Sequence, residues 1–431
     1  MEKRNQAAKL LIGAVVVIIA VLFLAGIVGR HDVKYKSDPL SREDITYQYV
    51  DAMVSNADAN GIVRAESWKS IYPDIVVSMN ANIENDEIVS YLELDPYLIE
   101  IYEGFGFAKE YGSARGHSYT LEDVSNTARP HGKANCLTCK TPYFTKLVQD
   151  EGVAAYTYEF SDVMDRLHAD GGEAVSCYTC HGNEPGNAGE RVVTHTYVNK
   201  ALGENVKTID SSTLACGQCH IEYYFTPADK ETMMPYSSVE EMTPEAIYEY
   251  YQALGFADWT QESTGARMLK AQHPEMETYL LGVHANDLNC ADCHMPVVQN
   301  EKTQNIYHSH LIVSPLENET LLKTCAACHG DTDMVTFVRN IQARITTEEA
   351  RIGNLLAEFK TALAEQNRSG AWTDEQLDPI RELYRKAQWF FDFCYVENAE
   401  GAHNSDLATR CLSTAEDLIQ QGMALLSELG K

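Results

Sequence analysis

Basic residues are scarce in this chain. It has 34 lysines and arginines against 63 aspartates and glutamates in 431 residues, which gives a net charge of −29. Nucleic-acid binding requires a basic face for the phosphates, so this balance predicts no nucleic-acid partner. An acidic excess also keeps soluble proteins apart in solution. A site for an anionic substrate would therefore have to be a local positive patch.

Linkers rich in proline, glycine and serine are missing between positions 136 and 329, and so is any repeat of fixed period. The cysteine motifs in this stretch begin 41, 39, 74 and 35 residues apart. Irregular spacing argues against a repeat architecture. We expect one compact domain here rather than an array of modules.

One long apolar run stands near the N-terminus. Residues 10–29 carry no charge, and Lys3, Arg4 and Lys9 precede them. Twenty helical residues span about 30 Å, the thickness of a hydrocarbon core. The basic flank predicts that the chain beyond residue 29 is extracytoplasmic. The segment is either an uncleaved anchor, which the missing A-x-A cleavage site favours, or a signal peptide. Residues 30–42 read as a short polar linker.

Cysteine spacing carries the strongest signal. Ten of the twelve cysteines fall in C-x-x-C pairs, and Cys394 and Cys411 are left over. The pairs are Cys136 and Cys139, Cys177 and Cys180, Cys216 and Cys219, Cys290 and Cys293, and Cys325 and Cys328. The two remaining cysteines either form a disulfide, as an oxidising compartment allows, or are buried free thiols.

Four of the pairs are followed directly by histidine. These histidines are His181, His220, His294 and His329. C-x-x-C-H is the attachment pattern of c-type haem, in which the thiols bond the porphyrin and the histidine binds the iron. Zinc also uses C-x-x-C pairs, but it does not require a histidine immediately after each one. Four such motifs in one exported chain predict covalent haem.

The fifth pair, CLTCK, ends in Lys140. A lysine amine binds iron only when it is deprotonated, and its ordinary pKa is about 10.4. The alternative is a disulfide between Cys136 and Cys139 beside a surface lysine. The other four motifs favour a fifth haem, and an iron without a second protein ligand has room for substrate.

The C-terminal part has a helical pattern. In residues 346–366, Ile352, Leu356, Phe359 and Leu363 recur at helical spacing. Further helices are predicted near 374–398 and 405–428. The predicted fold is mainly α, a multihaem cytochrome c fold with long C-terminal helices. We divide the mature chain into a pentahaem region at 43–345 and C-terminal helices at 346–431.

The motif order resembles that of the ammonia-forming cytochrome c nitrite reductases, pentahaem enzymes in which one CxxCK motif precedes four CxxCH motifs. Three further segments match that family. They are RGHSYTLEDVSNTAR (115–129), CHIEYYF (219–225) and KAQHPEMETYLLGVH (270–284). The resemblance covers about residues 40–425 and implies six-electron reduction of nitrite to ammonium at the Lys140 haem.

Matching positions imply the site residues. Arg129, Tyr223 and His273 correspond to the family's catalytic residues around the lysine haem. Calcium ligands correspond to the side chains of Glu222 and Gln272 and to the carbonyls of Tyr223 and Lys270. The implied distal haem ligands are His117 for the third motif, His403 for the fourth, His284 for the fifth and His310 for the second, with His308 as an alternative to His310.

The resemblance also implies partners. A membrane cytochrome that oxidises quinol would donate electrons, and the enzyme would be a homodimer formed through its C-terminal helices. Five haem c groups and one calcium ion are the implied cofactors. Two other functions remain open from the sequence: a multihaem electron carrier without catalysis, and a related multihaem enzyme that acts on hydroxylamine or sulfite.

Overall fold

Helices make up most of the structure, a computed structural model that describes residues 45, 56–130, 132–183 and 193–429. The α-helices are α1 Pro73–Asn80, α2 Tyr91–Leu94, α3 Tyr97–Ile101, α4 Thr120–Asn126, α5 Pro142–Glu151, α6 Phe160–Ala169, α7 Cys177–His181, α8 Thr196–Leu202, α9 Ser211–Gly217, α10 Pro244–Leu254, α11 Glu275–Leu280, α12 Cys290–His294, α13 Glu319–His329, α14 Met334–Ser369, α15 Asp374–Tyr395 and α16 Ser405–Leu429.

Short 3₁₀ turns connect many of these helices. They are Ala65–Ser70, Ala81–Glu84, Gly106–Ala108, His117–Tyr119, Ala134–Leu137, Gly152–Thr157, Gly203–Thr208, Val239–Glu241, Val283–Asn286 and Pro315–Glu317. The strands form three antiparallel two-stranded ribbons, β1 Tyr224–Phe225 with β2 Thr232–Met233, β3 Trp259–Thr260 with β4 Arg267–Met268, and β5 Val297–Gln299 with β6 Ile306–His308. The prediction of a mainly α fold is confirmed.

The three C-terminal helices build the main core. Apolar residues on their inner faces are fully buried, among them Phe359 of α14 and Trp389 of α15. The helices approach closely at glycine: a Cβ on Gly422 of α16 would lie 2.0 Å from Cζ of Phe359. Any larger residue at position 422 would push α16 away from α14, because packed interiors leave no spare volume.

The first long helix begins earlier than its predicted start at 346. Asp333 caps it, its side chain accepting a hydrogen bond from the backbone N–H of Thr336 at 3.1 Å. The division between regions at 345 and 346 therefore falls within α14. Apolar residues at 334, 338, 341 and 345 already continue the helical spacing toward the N-terminus. The other two long helices match their predicted ranges to within about three residues, the usual uncertainty of helix ends.

Short capped helices carry the cysteine motifs. Asn289 caps α12: its Oδ1 accepts the backbone N–H of Asp292 at 3.2 Å, and Oδ2 of Asp292 accepts the backbone N–H of Asn289 at 2.9 Å. At the start of α7, the backbone N–H of Ser176 donates to Oγ1 of Thr179 at 3.3 Å. A glycine with positive φ ends the motif helix at Gly182 and at Gly330. Side chains three and four residues apart share a helix face, so each cap and stop helps present two thiols and one imidazole together.

Residues 10–29 and 30–42, predicted as a membrane segment and a linker, lie outside the described residues. Within the described part, no helix is long and apolar enough to cross a membrane. Cys394 of α15 and Cys411 of α16 are both buried and both free thiols. Of the two interpretations of these cysteines, the structure supports the free thiols.

Candidate active site

A single cavity of about 2370 Å³ runs through the middle of the protein. Usual small-molecule sites have volumes of roughly 300–1,000 Å³, so this cavity is large enough for several groups. Nine of the ten motif cysteines line it. They are Cys136, Cys139, Cys177, Cys180, Cys216, Cys219, Cys290, Cys293 and Cys325. The motifs, scattered over nearly 200 positions of sequence, therefore meet at one internal space, as attached haems would require.

Each histidine that ends a CxxCH motif faces a second imidazole. The ring centroids are 6.2 Å apart for His117 and His220, 6.3 Å for His181 and His310, 6.1 Å for His294 and His403, and 6.1 Å for His284 and His329. Two imidazoles bound to opposite faces of one iron, each at about 2 Å, have centroids roughly 6 Å apart. These residues thus fit the two axial positions of four haems.

Two of these assignments had alternatives. For the second motif, the separation of His181 from His310 favours His310, while His308 lies in β6 with its Nδ1 2.7 Å from the carbonyl of Met295. For the third motif, His273 also lies 6.5 Å from His220. Distance alone does not choose between His117 and His273 there, and the motif resemblance assigns His117.

Neighbouring thiols show which motifs adjoin. The thiols of Cys139 and Cys219 are in contact, so the first and third motifs meet. Cys290 lies beside Cys216, which with burial raises the pKa of the Cys290 thiol. Cys293 interacts with Cys325. The third motif therefore adjoins both the first and the fourth, an order that differs from the order along the chain.

Sequence reasoning missed His195. With Cys139 and Cys219 it forms the only trio of potential metal ligands among the described residues, with ligand atoms within 4.8 Å of one another. Its two ring nitrogens already lie near polar oxygens, Nε2 at 2.9 Å from the carbonyl of Thr138 and Nδ1 at 3.0 Å from Oε1 of Gln218. A trio drawn from two motifs leaves each cysteine's C-x-x-C partner outside it, which does not fit the zinc alternative.

Lys140, Arg129, Tyr223 and His273 all line the same cavity. The backbone carbonyl of Lys140 accepts a hydrogen bond from Oγ1 of Thr120 at 2.8 Å. Thr120 begins α4 immediately after the turn that carries His117. The RGHSYT segment therefore fixes the lysine motif and a candidate haem ligand relative to each other.

His273 presents its ring to the cavity. About 47% of its side chain is accessible, and the residue lines the cavity. Burial lowers the pKa of His273 well below its usual range, and the positive charges of Lys140, Lys270 and Arg129 lower it further. At neutral pH the ring is uncharged and offers one N–H donor and one nitrogen acceptor.

Arg129 and Tyr223 line the same cavity. The Arg129 guanidinium carbon is 4.6 Å from the centre of the Phe107 ring, and its Nε donates to Oγ1 of Thr127 at 3.1 Å. Burial, followed by the neighbouring Cys139 and Cys136, raises the pKa of Tyr223 above its usual range. The phenol therefore stays protonated and can donate a hydrogen bond.

The residues implied for calcium also gather at one place. The carboxylate of Glu222 accepts the backbone N–H of Gln272 at 2.6 Å, and the side-chain amide of Gln272 donates to the carbonyl of Lys270 at 2.9 Å. Burial raises the pKa of Glu222 well above its ordinary value. A bound cation would stabilise the ionised carboxylate, and carboxylate, amide and carbonyl oxygens are the ligands that calcium prefers.

Two further acids, the half-buried Asp258 and the buried Asp392, lie beside this loop. Asp258 accepts the backbone N–H of Lys270 at 2.8 Å, and burial raises its pKa to about 7. Asp392 of α15 accepts the N–H of Ala271 at 2.8 Å, and its Oδ1 is 3.3 Å from Nζ of Lys270. Both acids therefore hold the backbone of the Lys270 segment, and Asp392 also pairs with the Lys270 ammonium.

Comparison with known proteins identifies the family. The family model for cytochrome c552 matches residues 64–430, a range that includes all five cysteine motifs. The chain belongs to the cytochrome c552 family. A cytochrome c-552 of Desulfotalea psychrophila is 31% identical over 392 residues, covering 83% of this chain and 74% of the relative.

The solved structure of cytochrome c nitrite reductase from Desulfovibrio desulfuricans, a catalytic subunit with two calcium sites, has the same fold. The match has a TM-score of 0.76 at 25% sequence identity and covers 85% of this chain and 86% of that one. The resemblance drawn from the motifs and the predicted multihaem cytochrome fold are both confirmed. This member of the cytochrome c552 family is therefore a haem c protein.

Proposed function

We propose that this cytochrome reduces nitrite to ammonium at the haem attached to Cys136 and Cys139, with Lys140 as an axial ligand. Six electrons and eight protons convert nitrite to ammonium and two water molecules. The observation that carries the proposal is the meeting of the lysine motif with Arg129, Tyr223 and His273 in one cavity. The paired histidines account for both axial ligands at the other four motifs, which supports a total of five haems.

The lysine haem, when bound, supplies an iron with a coordination position for the substrate and accepts electrons from the other haems. Arg129 binds the anion, because a guanidinium offers several donors and a permanent charge. His273 donates a hydrogen bond to an oxygen of nitrite, and the bound negative charge favours protonation of its ring. Tyr223, held as a phenol, orients the oxygens. The local positive charge offsets the acidic protein as a whole.

The proposed calcium site at Glu222 is adjacent in sequence to two of the catalytic residues. Glu222 directly precedes Tyr223, and Gln272 directly precedes His273. The residues that would hold calcium therefore lie in the same two segments as these catalytic residues. An ion bound there fixes the two catalytic side chains relative to each other and adds positive charge. Calcium binding is thus part of the proposed function rather than a separate stabilising feature.

The partners and location follow from the same proposal. A membrane cytochrome that oxidises quinol donates the electrons, the enzyme is a homodimer through α14 to α16, and residues 10–29 hold it at the outer face of the cytoplasmic membrane or deliver it to the periplasm. Co-purification with membranes and light scattering of the purified protein test these statements independently of catalysis.

The deciding experiment is an ammonium assay on the purified holoprotein with nitrite and a reduced dye, together with a haem count by intact mass. We expect five haems and stoichiometric ammonium. A protein with its full haem content that consumes no nitrite would be an electron carrier. Faster turnover of hydroxylamine than of nitrite would instead favour an enzyme of the hydroxylamine class.

A further inference from the structure

The carboxylate of Glu397 makes a short contact with a candidate haem ligand. Its Oε1 lies 2.6 Å from Nδ1 of His403, and only 3% of the residue is exposed. Both residues belong to the turn between α15 and α16. The same carboxylate accepts the backbone N–H of Ala399 at 3.3 Å and of Gly401 at 3.4 Å. The turn therefore folds around Glu397 and fixes its position.

The backbone of this turn has little freedom to move. Gly401 has φ of 82°, a conformation that L side chains rarely adopt, and a Cβ there would lie 2.7 Å from Cγ1 of Ile345 on α14. The carbonyl of His403 lies 2.8 Å from the position of a Cβ on Gly282. Packing on both sides thus holds the carboxylate and the imidazole in register.

Two other candidate ligands have a backbone carbonyl beside the same ring nitrogen, whereas Nδ1 of His220 lies 3.9 Å from Oε2 of Glu275, beyond hydrogen-bonding distance. Nδ1 of His310 lies 2.9 Å from the carbonyl oxygen of His308, and Nδ1 of His294 lies 3.2 Å from the carbonyl of Val313. Those acceptors are neutral. His294 is the motif histidine whose ring faces His403, so one haem would have a carbonyl-bound imidazole on one side and a carboxylate-bound imidazole on the other.

The nature of the acceptor changes the ligand. A histidine that donates its second N–H to a carboxylate is a more basic ligand with a fixed ring orientation. Hydrogen bonds to an ionised acceptor are roughly twice as strong as those between neutral groups. A buried anion next to the ligand also stabilises the more positive, oxidised state of the iron, because the protein interior screens charge weakly.

We propose that Glu397 is a positioning residue that holds His403 as an anion-paired axial ligand and thereby lowers the reduction potential of the haem on the Cys290–His294 motif. The inference rests on the haem assignment made under the proposed function, but it does not depend on which substrate is reduced. This motif adjoins the third and the fifth haem motifs. The reduction potential of its haem therefore determines how readily electrons are held by that haem or transferred between its neighbours.

The test is a spectroelectrochemical titration of the purified holoprotein with Glu397→Gln. Glutamine keeps the shape and an acceptor oxygen but removes the charge. We expect the equilibrium constant for reduction of one haem to increase about tenfold. For a one-electron couple this is a rise of about 59 mV in its reduction potential. Asp406→Asn, at an exposed acid in the first turn of α16, is the matched control and should leave the potentials unchanged.

Three results would overturn the inference. They are an unchanged set of potentials in Glu397→Gln, an equal shift in Asp406→Asn, and conversion of one haem to a high-spin form in Glu397→Gln, which would mean that the residue only holds the ligand in place. If Glu397→Gln loses haem during assembly, Glu397→Asp keeps the charge at a longer distance and should show a smaller upward shift. Loss of haem in both variants would reduce Glu397 to a structural role.

Haem counts by mass and ammonium assays on the same samples separate this inference from the proposed function. A shifted potential in a protein that makes no ammonium would support the role of Glu397 and refute nitrite reduction. Unshifted potentials in a variant that still makes ammonium would support nitrite reduction and refute the role of Glu397.

Discussion

Replacement of Arg129 by alanine is the sharpest test of the catalytic residues. The guanidinium lies over Phe107 and bonds Thr127, so it is held by the protein before any substrate arrives. Hydrogen bonds to charged groups contribute about 1.5–3 kcal/mol each. Loss of one or two such bonds to nitrite should reduce kcat/KM by roughly 10²-fold, since about 1.4 kcal/mol corresponds to a factor of ten.

The assay is steady-state ammonium production with a reduced dye, measured over a range of nitrite concentrations. A rise in KM with unchanged kcat would show that Arg129 only binds the anion, and a fall in kcat that it also stabilises the transition state. Arg351→Ala is the matched control, because Arg351 forms surface ion pairs with Glu348 and Glu416. The reasoning fails if Arg129→Ala stays within threefold of the control while keeping all its haems.

Three further predictions address other parts of the molecule. Lys140→Ala should change the absorbance of one haem and abolish ammonium production, and retained activity would disprove the role of the lysine haem. Glu222→Gln should weaken calcium binding, measured by calorimetry on chelator-treated protein, and should lower turnover unless calcium is in excess. Equal calcium affinity in the variant and the unmodified protein would disprove the proposed calcium site. Burial raises the pKa of Glu349 to about 8, so the folded state retains a proton that the unfolded state releases near its ordinary pKa of 4.5. Stability should therefore fall by up to about 1.4 kcal/mol per pH unit as pH rises from about 4.5 to about 8, and urea unfolding of Glu349→Gln should lack this part of the slope.

Local patterns made much of the fold and site predictable. Cysteine and histidine spacing marked the haem attachment motifs, because covalent attachment needs only neighbouring residues. Apolar periodicity placed α15 and α16 well. It missed the first three turns of α14, where the cap at Asp333 and the apolar residues from 334 to 345 begin the helix.

Long-range relations were harder to obtain. No spacing rule brings His403 to His294 or Cys219 to Cys139, since those contacts depend on how distant segments pack. His195, buried between two motifs, and the acids Asp258 and Asp392 behind the calcium loop were also missed. Their roles arise from burial and from partners far along the chain, which a single sequence does not display.

The pairing of histidines has a consequence for assembly. Attachment to a C-x-x-C-H motif is local and needs no tertiary structure, whereas three of the four imidazole pairs join residues more than a hundred positions apart. Under the proposed ligation, each of these haems gains its second ligand only when the remote segment docks. The spin state of each haem would then record the arrival of a specific stretch of chain, so the cofactors themselves would serve as built-in reporters of how this protein folds.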